Sequence, residues 1–324
     1  MILPVLLLAC PPGARALPSS PAVDALLADD WCGSERTVAD QDSGPRLPYY
    51  KVVYAYASDV GDRFAQFAPV IERYAKAAGA KVAMFSDKTI RFDRRTSCGP
   101  QYIDIRTLAL PDTAYWYGGG IVTRIPDALR ALLPQDGPRR NYLVFVDVGD
   151  TGDYYALGQP YPDEQPGPDN LANTHPAPAM AYIVGGGAPD FWPVDAQRTA
   201  AHFADTILQE ILHNLGAVQR DAPHSSGDWH CWQGWDVMCY QARPDLPQLR
   251  YDCPWQDSFS DGGAPLDCGG DDYFNPNPPA GSYLATHWNT YDSVYLCPVS
   301  DCGAVPRSAT ATPAAPPSTG ASAP

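Results

Sequence analysis

Positive charge is scarce: 22 Lys and Arg stand against 37 Asp and Glu, a net charge of −15. Wrapping nucleic acid or coating an anionic membrane needs clustered positive charge, so neither partner is expected. No apolar run approaches the roughly 18 residues of a membrane helix. No two cysteines have C-x-x-C spacing, which removes the usual zinc-cluster reading. G-x-S-x-G is absent and no Ser-His-Asp set stands out. The run Gly185-Gly186-Gly187 lacks the Gly-Lys-Ser/Thr ending of a phosphate loop. No internal repeat is evident. What is present suffices for a core: 45% of the 324 residues are hydrophobic and 18% charged, which excludes global disorder. The 35 Pro and 27 Gly predict long irregular connections.

The short apolar run Ile2 to Ala9, followed by Ala14-Arg15-Ala16, reads as a secretory signal ending at residue 16, although no Lys or Arg precedes it. Cys10 after Leu7-Leu8-Ala9 allows a lipoprotein instead. Of nine cysteines, Cys10 lies in this signal. The other eight are Cys32, Cys98, Cys231, Cys239, Cys253, Cys268, Cys297 and Cys302, an even set that suggests four disulfides in an exported chain. The expected division joins Cys32 to Cys98 and pairs the six C-terminal cysteines among themselves.

Residues 17–48 read as an irregular lead-in. From residue 49 to 216 strands and helices alternate, predicting an α/β layer with a mostly parallel sheet. Strands are expected at Lys51 to Ala57, Lys81 to Ser86, Tyr102 to Leu110, Tyr142 to Val148 and Met180 to Val184. Helices are expected at Asp62 to Ala78 and Ile121 to Leu133, with Pro69 and Pro126 as disturbances. Residues 150–178 read as a long loop. The strongest helix covers 196–214: Asp195 can cap it, Ala204, Leu208, Ile211 and Leu215 make a core face, and Gly216 suits a left-handed termination. Residues 217–302 are Cys-rich and irregular. Residues 303–324, rich in Ala, Pro, Ser and Thr, read as a disordered tail.

The chemistry concentrates at Gln209-Glu210-Ile211-Leu212-His213-Asn214-Leu215-Gly216. Zinc peptidases place H-E-x-x-H on a helix, so that two histidines one turn apart bind the metal and the glutamate between them acts on water. Here the pattern is Q-E-x-x-H, and the Gly lets the chain turn back with a further ligand. Downstream stands Asp236-Val237-Met238-Cys239-Tyr240. Together the two pieces resemble the metzincin zinc metallopeptidases, whose long helix motif is followed by a methionine in a tight turn below the metal. The stretch from about residue 50 to 300 also looks like a group of secreted bacterial zincin-like proteins. The pieces that carry this are Ala217-Val218-Gln219, Ala222-Pro223-His224, His230-Cys231, Asp236 to Tyr240, Asp267-Cys268, Asp271 to Phe274 and Gly281 to Asn289.

The resemblance implies an α/β (α+β zincin-like) fold with an irregular C-terminal subdomain, and a secreted, monomeric peptidase acting on a protein or peptide. Glu210 would be the general base, Tyr240 would stabilise the oxyanion, and Met238 would lie beneath the metal. Zinc would bind His213 with at least one of His224 and His230, and with Gln209 as a weak ligand. Two positions depart from the pattern. Gln209 stands where the first histidine is expected, and Gln219 stands at the usual third position. A neutral amide is a poor zinc ligand. A binding protein on the same fold is therefore the alternative, with Trp192, Trp229, Trp232 and Trp235 near the motif as a groove for a partner or sugar. Asp267, Asp271, Asp272 and Asn275 form an oxygen-rich cluster that could hold calcium.

Overall fold

A computed structural model describes residues 47–96, 98–134, 140–149, 151, 155–183, 196–251 and 264–302. The signal segment and lead-in up to residue 46, Gly185 to Gly187, Trp192, Asp195, Cys253 and the tail from residue 303 lie outside the described residues.

The chain is α/β with a mostly parallel sheet. Its centre is β1 (Tyr49–Tyr56), flanked by β3 (Ile105–Ala109) and β4 (Arg140–Asp147), both parallel to it. β6 (Ala179–Tyr182) extends the sheet in parallel beyond β4, and the two-residue β5 (Ala156–Leu157) closes that edge antiparallel. The order is β3-β1-β4-β6-β5. β4 is buried along its whole length, as its nearly continuous apolar sequence requires of a strand covered on both faces.

The two-residue period of the strands sorts side chains into two cores. Val52, Tyr54, Leu143 and Phe145 face α1 (Phe64–Phe85) and α5 (Ala196–Asn214). Val53, Ala55, Val144 and Val146 face α3 (Ile121–Leu132), through Ile121, Ile125 and Leu129, and Tyr117 of α2 (Ala114–Gly118). Lys51 is an exception within β1: it is fully buried, its ammonium held by Asp93 at 3.2 Å and by Asp104. A buried cation needs such partners to offset its lost hydration.

Three elements differ from the expectation. The strand expected at Lys81 to Ser86 is the end of α1, which runs to Phe85. Lys, Ala and Met are good helix formers, and the i,i+4 spacing puts Ala78 and Val82 together on the buried face. The strand follows instead at β2 (Lys88–Ile90), antiparallel to β7 (Leu296–Pro298). Pro69 and Pro126 are both tolerated inside their helices. The expected loop at 150–178 contains β5 and the short helix α4 (Leu171–Thr174).

Cys231 is bonded to Cys239 and Cys297 to Cys302. Cys98 and Cys268 are also disulfide-bonded. No helix among the described residues is long and apolar enough to cross a membrane.

Candidate functional site

α5 carries the motif. Ala204, Leu208, Ile211 and Leu215 are buried, which fixes the rotation of the helix against the sheet. Glu210 and His213 are buried as well, while Gln209 is half-buried. The helix ends in a Schellman motif: Gly216 N–H donates to His213 O at 3.0 Å and Ala217 N–H to Leu212 O at 2.9 Å. Gly216 has φ 78°, and a Cβ there would lie 2.8 Å from Trp288 Nε1. Trp288 in turn donates to Leu215 O at 2.8 Å, locking the exit.

The chain then folds back. The Gln219 carboxamide, almost fully buried, donates to Tyr161 O and Gly216 O, both at 2.8 Å. This residue therefore braces the loop. A short antiparallel bridge joins Ser225 to Cys231, and Ser226 donates to His230 O from both its N–H and its hydroxyl. Trp229 has φ 64°, a left-handed conformation that costs a bulky residue roughly 1–2 kcal/mol. It immediately precedes His230, the residue delivered to the motif helix.

His213 Nε2 and His230 Nε2 are 3.1 Å apart, with their rings edge to face at 4.8 Å. Burial pushes the His213 pKa down to about 3, and the neighbouring His230 pushes it the same way. Burial also lowers His230, to about 4, against an opposing contribution from Asp228. Both imidazoles are thus neutral and able to offer a lone pair. His213 Nδ1 is buried without a hydrogen-bond partner among the described residues. Two imidazole nitrogens on a tetrahedral zinc, each about 2.0–2.1 Å away, would be separated by about 3.3 Å. The observed pair fits two ligands of one such ion. Gln209, one turn before His213, adds at most a carboxamide oxygen, so the donor set has two imidazoles rather than three.

Glu210 accepts a hydrogen bond from the Gly158 N–H, which lowers its pKa; burial outweighs that and raises it to about 8. Gly158 follows the edge strand β5 and was hidden in what the sequence presents as a loop. The one signal for it is the small residue itself, since close approach of two backbones requires glycine. The Tyr240 ring lies tilted by 55° against that of His230, their centroids 4.1 Å apart. Burial, then the negative charges of Glu210 and Asp228, push its hydroxyl pKa up to about 12.

Met238 is fully buried. Its turn is held by Asp236, which accepts from Met238 N–H at 2.7 Å, Cys268 N–H at 2.7 Å and Tyr273 Oη at 2.9 Å. His224 sits in another cluster: its Nδ1 lies 3.0 Å from Asp272 and 3.6 Å from Asp271. The structure thus brings Glu210, His213, His230 and Tyr240 together and ties His224 to the acidic loop. That loop gives the calcium expectation no support. Asp267 spends both oxygens on the N–H groups of Asp271, Asp272, Tyr273 and Phe274, and Asn275 donates to Gly270 O. The carboxylate organises the loop's own backbone.

No protein-family profile and no curated protein matches the chain. Among solved structures, archaemetzincin from Methanopyrus kandleri aligns at 10% identity and TM-score 0.34, over 68% of this chain and 91% of that one. A catalytically inactive OgpA from Akkermansia muciniphila, in complex with an O-glycopeptide substrate, aligns at 12% identity and TM-score 0.35, over 78% of this chain and 68% of that one.

Proposed function

We propose that this chain is a secreted, zinc-dependent hydrolase of peptide bonds, of metzincin type, acting as a monomer. The observation that carries the reading is the convergence of two neutral, buried imidazole nitrogens, His213 Nε2 and His230 Nε2, beside the Glu210 carboxyl. The two histidines come from a helix and from a loop 17 positions later, so the pair is a product of the fold.

His213 and His230 would hold the ion, with Gln209 as a weak third donor. Zinc, when bound, supplies Lewis acidity toward a carbonyl oxygen and a water. The remaining chemistry belongs to the chain. An extended peptide can add to the outer edge of β5, where backbone hydrogen bonds would align it across the helix. Glu210, fixed by Gly158, takes the proton of the attacking water on a carboxylate oxygen and hands it to the leaving amine. A nearby cation would bring its raised pKa down into the range where it accepts a proton at neutral pH. The Tyr240 hydroxyl keeps its proton and donates a hydrogen bond to the developing oxyanion. Burial of Glu210, His213 and His230 keeps competing water from the carboxyl and the imidazoles, while Tyr240 stands exposed at their edge.

Gln209 favours one other reading, a binding protein on the same fold that has given up hydrolysis. Metal analysis of the purified chain, paired with cleavage of a general protein substrate, separates the two. The hydrolase reading expects about one zinc per chain and cleavage that falls by roughly 10²–10⁴ in Glu210→Gln. Zinc-free protein that neither takes up zinc nor cleaves would leave the binding module.

A further inference from the structure

We propose that the cavity lined by Trp229, the residue before His230, is a saccharide subsite that takes a pyranose ring. The cavity measures about 400 Å³ and is lined by Pro162, Glu164, Gln219, Arg220, Gly227 and Trp229. That volume is within the range of small-molecule sites. Four of the six lining residues connect to the histidine site through the chain: Trp229 precedes His230, Gln219 is bonded to the exit of the motif helix, and Pro162 and Glu164 follow the Gly158 contact.

The ligand class follows from what the lining offers. Arg220 is exposed and makes no hydrogen bond or ion pair among the described residues, so its donors are unspent. Glu164 also lines the cavity and accepts from the Asp221 N–H at 3.0 Å, but forms no salt bridge with Arg220. Gln219 spends its carboxamide N–H groups on two carbonyls, which leaves Oε1 buried without a partner. The lining therefore presents donors and acceptors together and balances one cation against one carboxylate. An anionic ligand would meet Glu164 and a chain of net charge −15; a cationic one would meet Arg220. A neutral ring carrying several hydroxyls can accept from Arg220 and donate to Glu164 without either penalty. Trp229 supplies the remaining requirement. The axial C–H bonds of a pyranose are weakly positive and lie on the negative face of an indole. The left-handed backbone at Trp229, φ 64°, is the kind of local strain that a fold retains where a side chain must be aimed.

The same chemistry could come from a free oligosaccharide or from a glycan attached to a peptide. The second source rests on the hydrolase reading, because only then does a peptide cross the histidine pair while its sugar occupies the cavity. Binding itself does not rest on it. Saturation-transfer NMR and calorimetry, run on the full chain after chelation of metals, would use methyl galactopyranoside, methyl N-acetylglucosaminide and methyl N-acetylgalactosaminide. A peptide with one O-linked N-acetylhexosamine, and its sugar-free counterpart, form the other arm. At least one glycoside or the glycopeptide should bind with millimolar affinity or better. Arg220→Ala should weaken it at least fivefold, Trp229→Ala should abolish it, and Trp229→Phe should retain it within about threefold; circular dichroism checks that each variant folds. Preference for the glycopeptide over free glycosides would identify the attached source. Saccharide binding that survives chelation in a chain with no zinc site would support the subsite while defeating the hydrolase reading. The proposal is overturned if none of these sugars binds in either form, or if binding is indifferent to both Arg220→Ala and Trp229→Ala in folded protein.

Discussion

Gly158 and Glu210 touch backbone to backbone: a Cβ at Gly158 would lie 2.5 Å from the Glu210 carbonyl oxygen and 2.9 Å from His213 Cβ. Neither neighbour is a flexible side-chain end, so one of the two elements must move to admit a methyl. Gly158→Ala should therefore push the edge strand from the helix and withdraw the N–H that Glu210 accepts. A stability loss of roughly 1–3 kcal/mol is expected from such overpacking. Urea denaturation would measure it, and the hydrolysis rate should fall more than stability alone explains. A variant as stable and as active as the parent would show that the contact is unimportant.

Trp288 and Gly216 make a second close contact, at the other end of the motif. Gly216→Ala would combine a disfavoured φ of 78° with a Cβ 2.8 Å from Trp288 Nε1. The left-handed conformation alone costs roughly 1–2 kcal/mol, and the clash adds to it. Thermal unfolding should show a fall of several degrees. Because the Schellman turn directs the chain back to His230, zinc affinity should fall with it. An unchanged melting temperature would contradict the account of this turn.

Acid should destabilise the metal-free protein through the histidine pair. In the unfolded chain both imidazoles take up protons as pH falls through about 6.5. In the folded chain they stay neutral down to about 4 for His230 and about 3 for His213. Between those limits the unfolded state binds more protons, so these groups make stability rise with pH from about 4 to 6.5. The contribution is present above 6.5 and lost on acidification. Buried Glu210 and Asp236, with pKa values raised to about 8 and about 7, act in the opposite sense, so the histidine contribution is read as the difference in the pH slope of melting temperature between chelated parent and variant. His230→Gln should make the slope less positive, and an equal slope in the variant would mean that His230 is accessible and ordinary.

The motif helix was legible because its evidence is local. The 3-4 spacing of Ala204, Leu208, Ile211 and Leu215 and the glycine at 216 act within one element, and the helix covers Ala196–Asn214 as expected. The parallel sheet was legible for the same reason, from apolar runs such as Tyr142 to Val148. What could not be read was which loop histidine meets His213. His224 and His230 both lie in a stretch without periodicity, and their fates depend on distant partners. Asp272, 48 positions away, takes His224, and the left-handed turn at Trp229 delivers His230. The edge strand β5 was hidden because two residues carry no measurable alternation; it exists through pairing with β6. The overrun of α1 has a similar origin. Within Lys81 to Phe85 the local preferences are split, Lys81, Ala83 and Met84 favouring helix and Val82 and Phe85 favouring strand, and packing of Val82 together with the Lys81–Asp205 ion pair decides for helix.

Gln209→His should tighten zinc binding by at least tenfold. Position 209 precedes His213 by one helical turn, so both side chains lean toward the same end of the same face. The wild-type donor set has two imidazoles, 3.1 Å apart at Nε2. Three protein ligands are the rule for a catalytic zinc, and an imidazole is a far better donor than a carboxamide. Glu210 is already buried beside the pair and bonded to Gly158, so no second change on the helix is required. Isothermal titration of wild type, Gln209→His and Gln209→His with Glu210→Gln gives the affinities, and a general protein substrate gives the rates. The single variant should bind more tightly and cleave faster. The double variant should keep the tighter binding and lose cleavage, because the carboxylate that moves the proton is gone. His230→Ala in the Gln209→His background should return affinity toward the wild-type value, which a site built elsewhere would not do. If Gln209→His binds zinc no better than wild type, position 209 does not face the histidine pair and the helix motif is not a metal site short of one ligand.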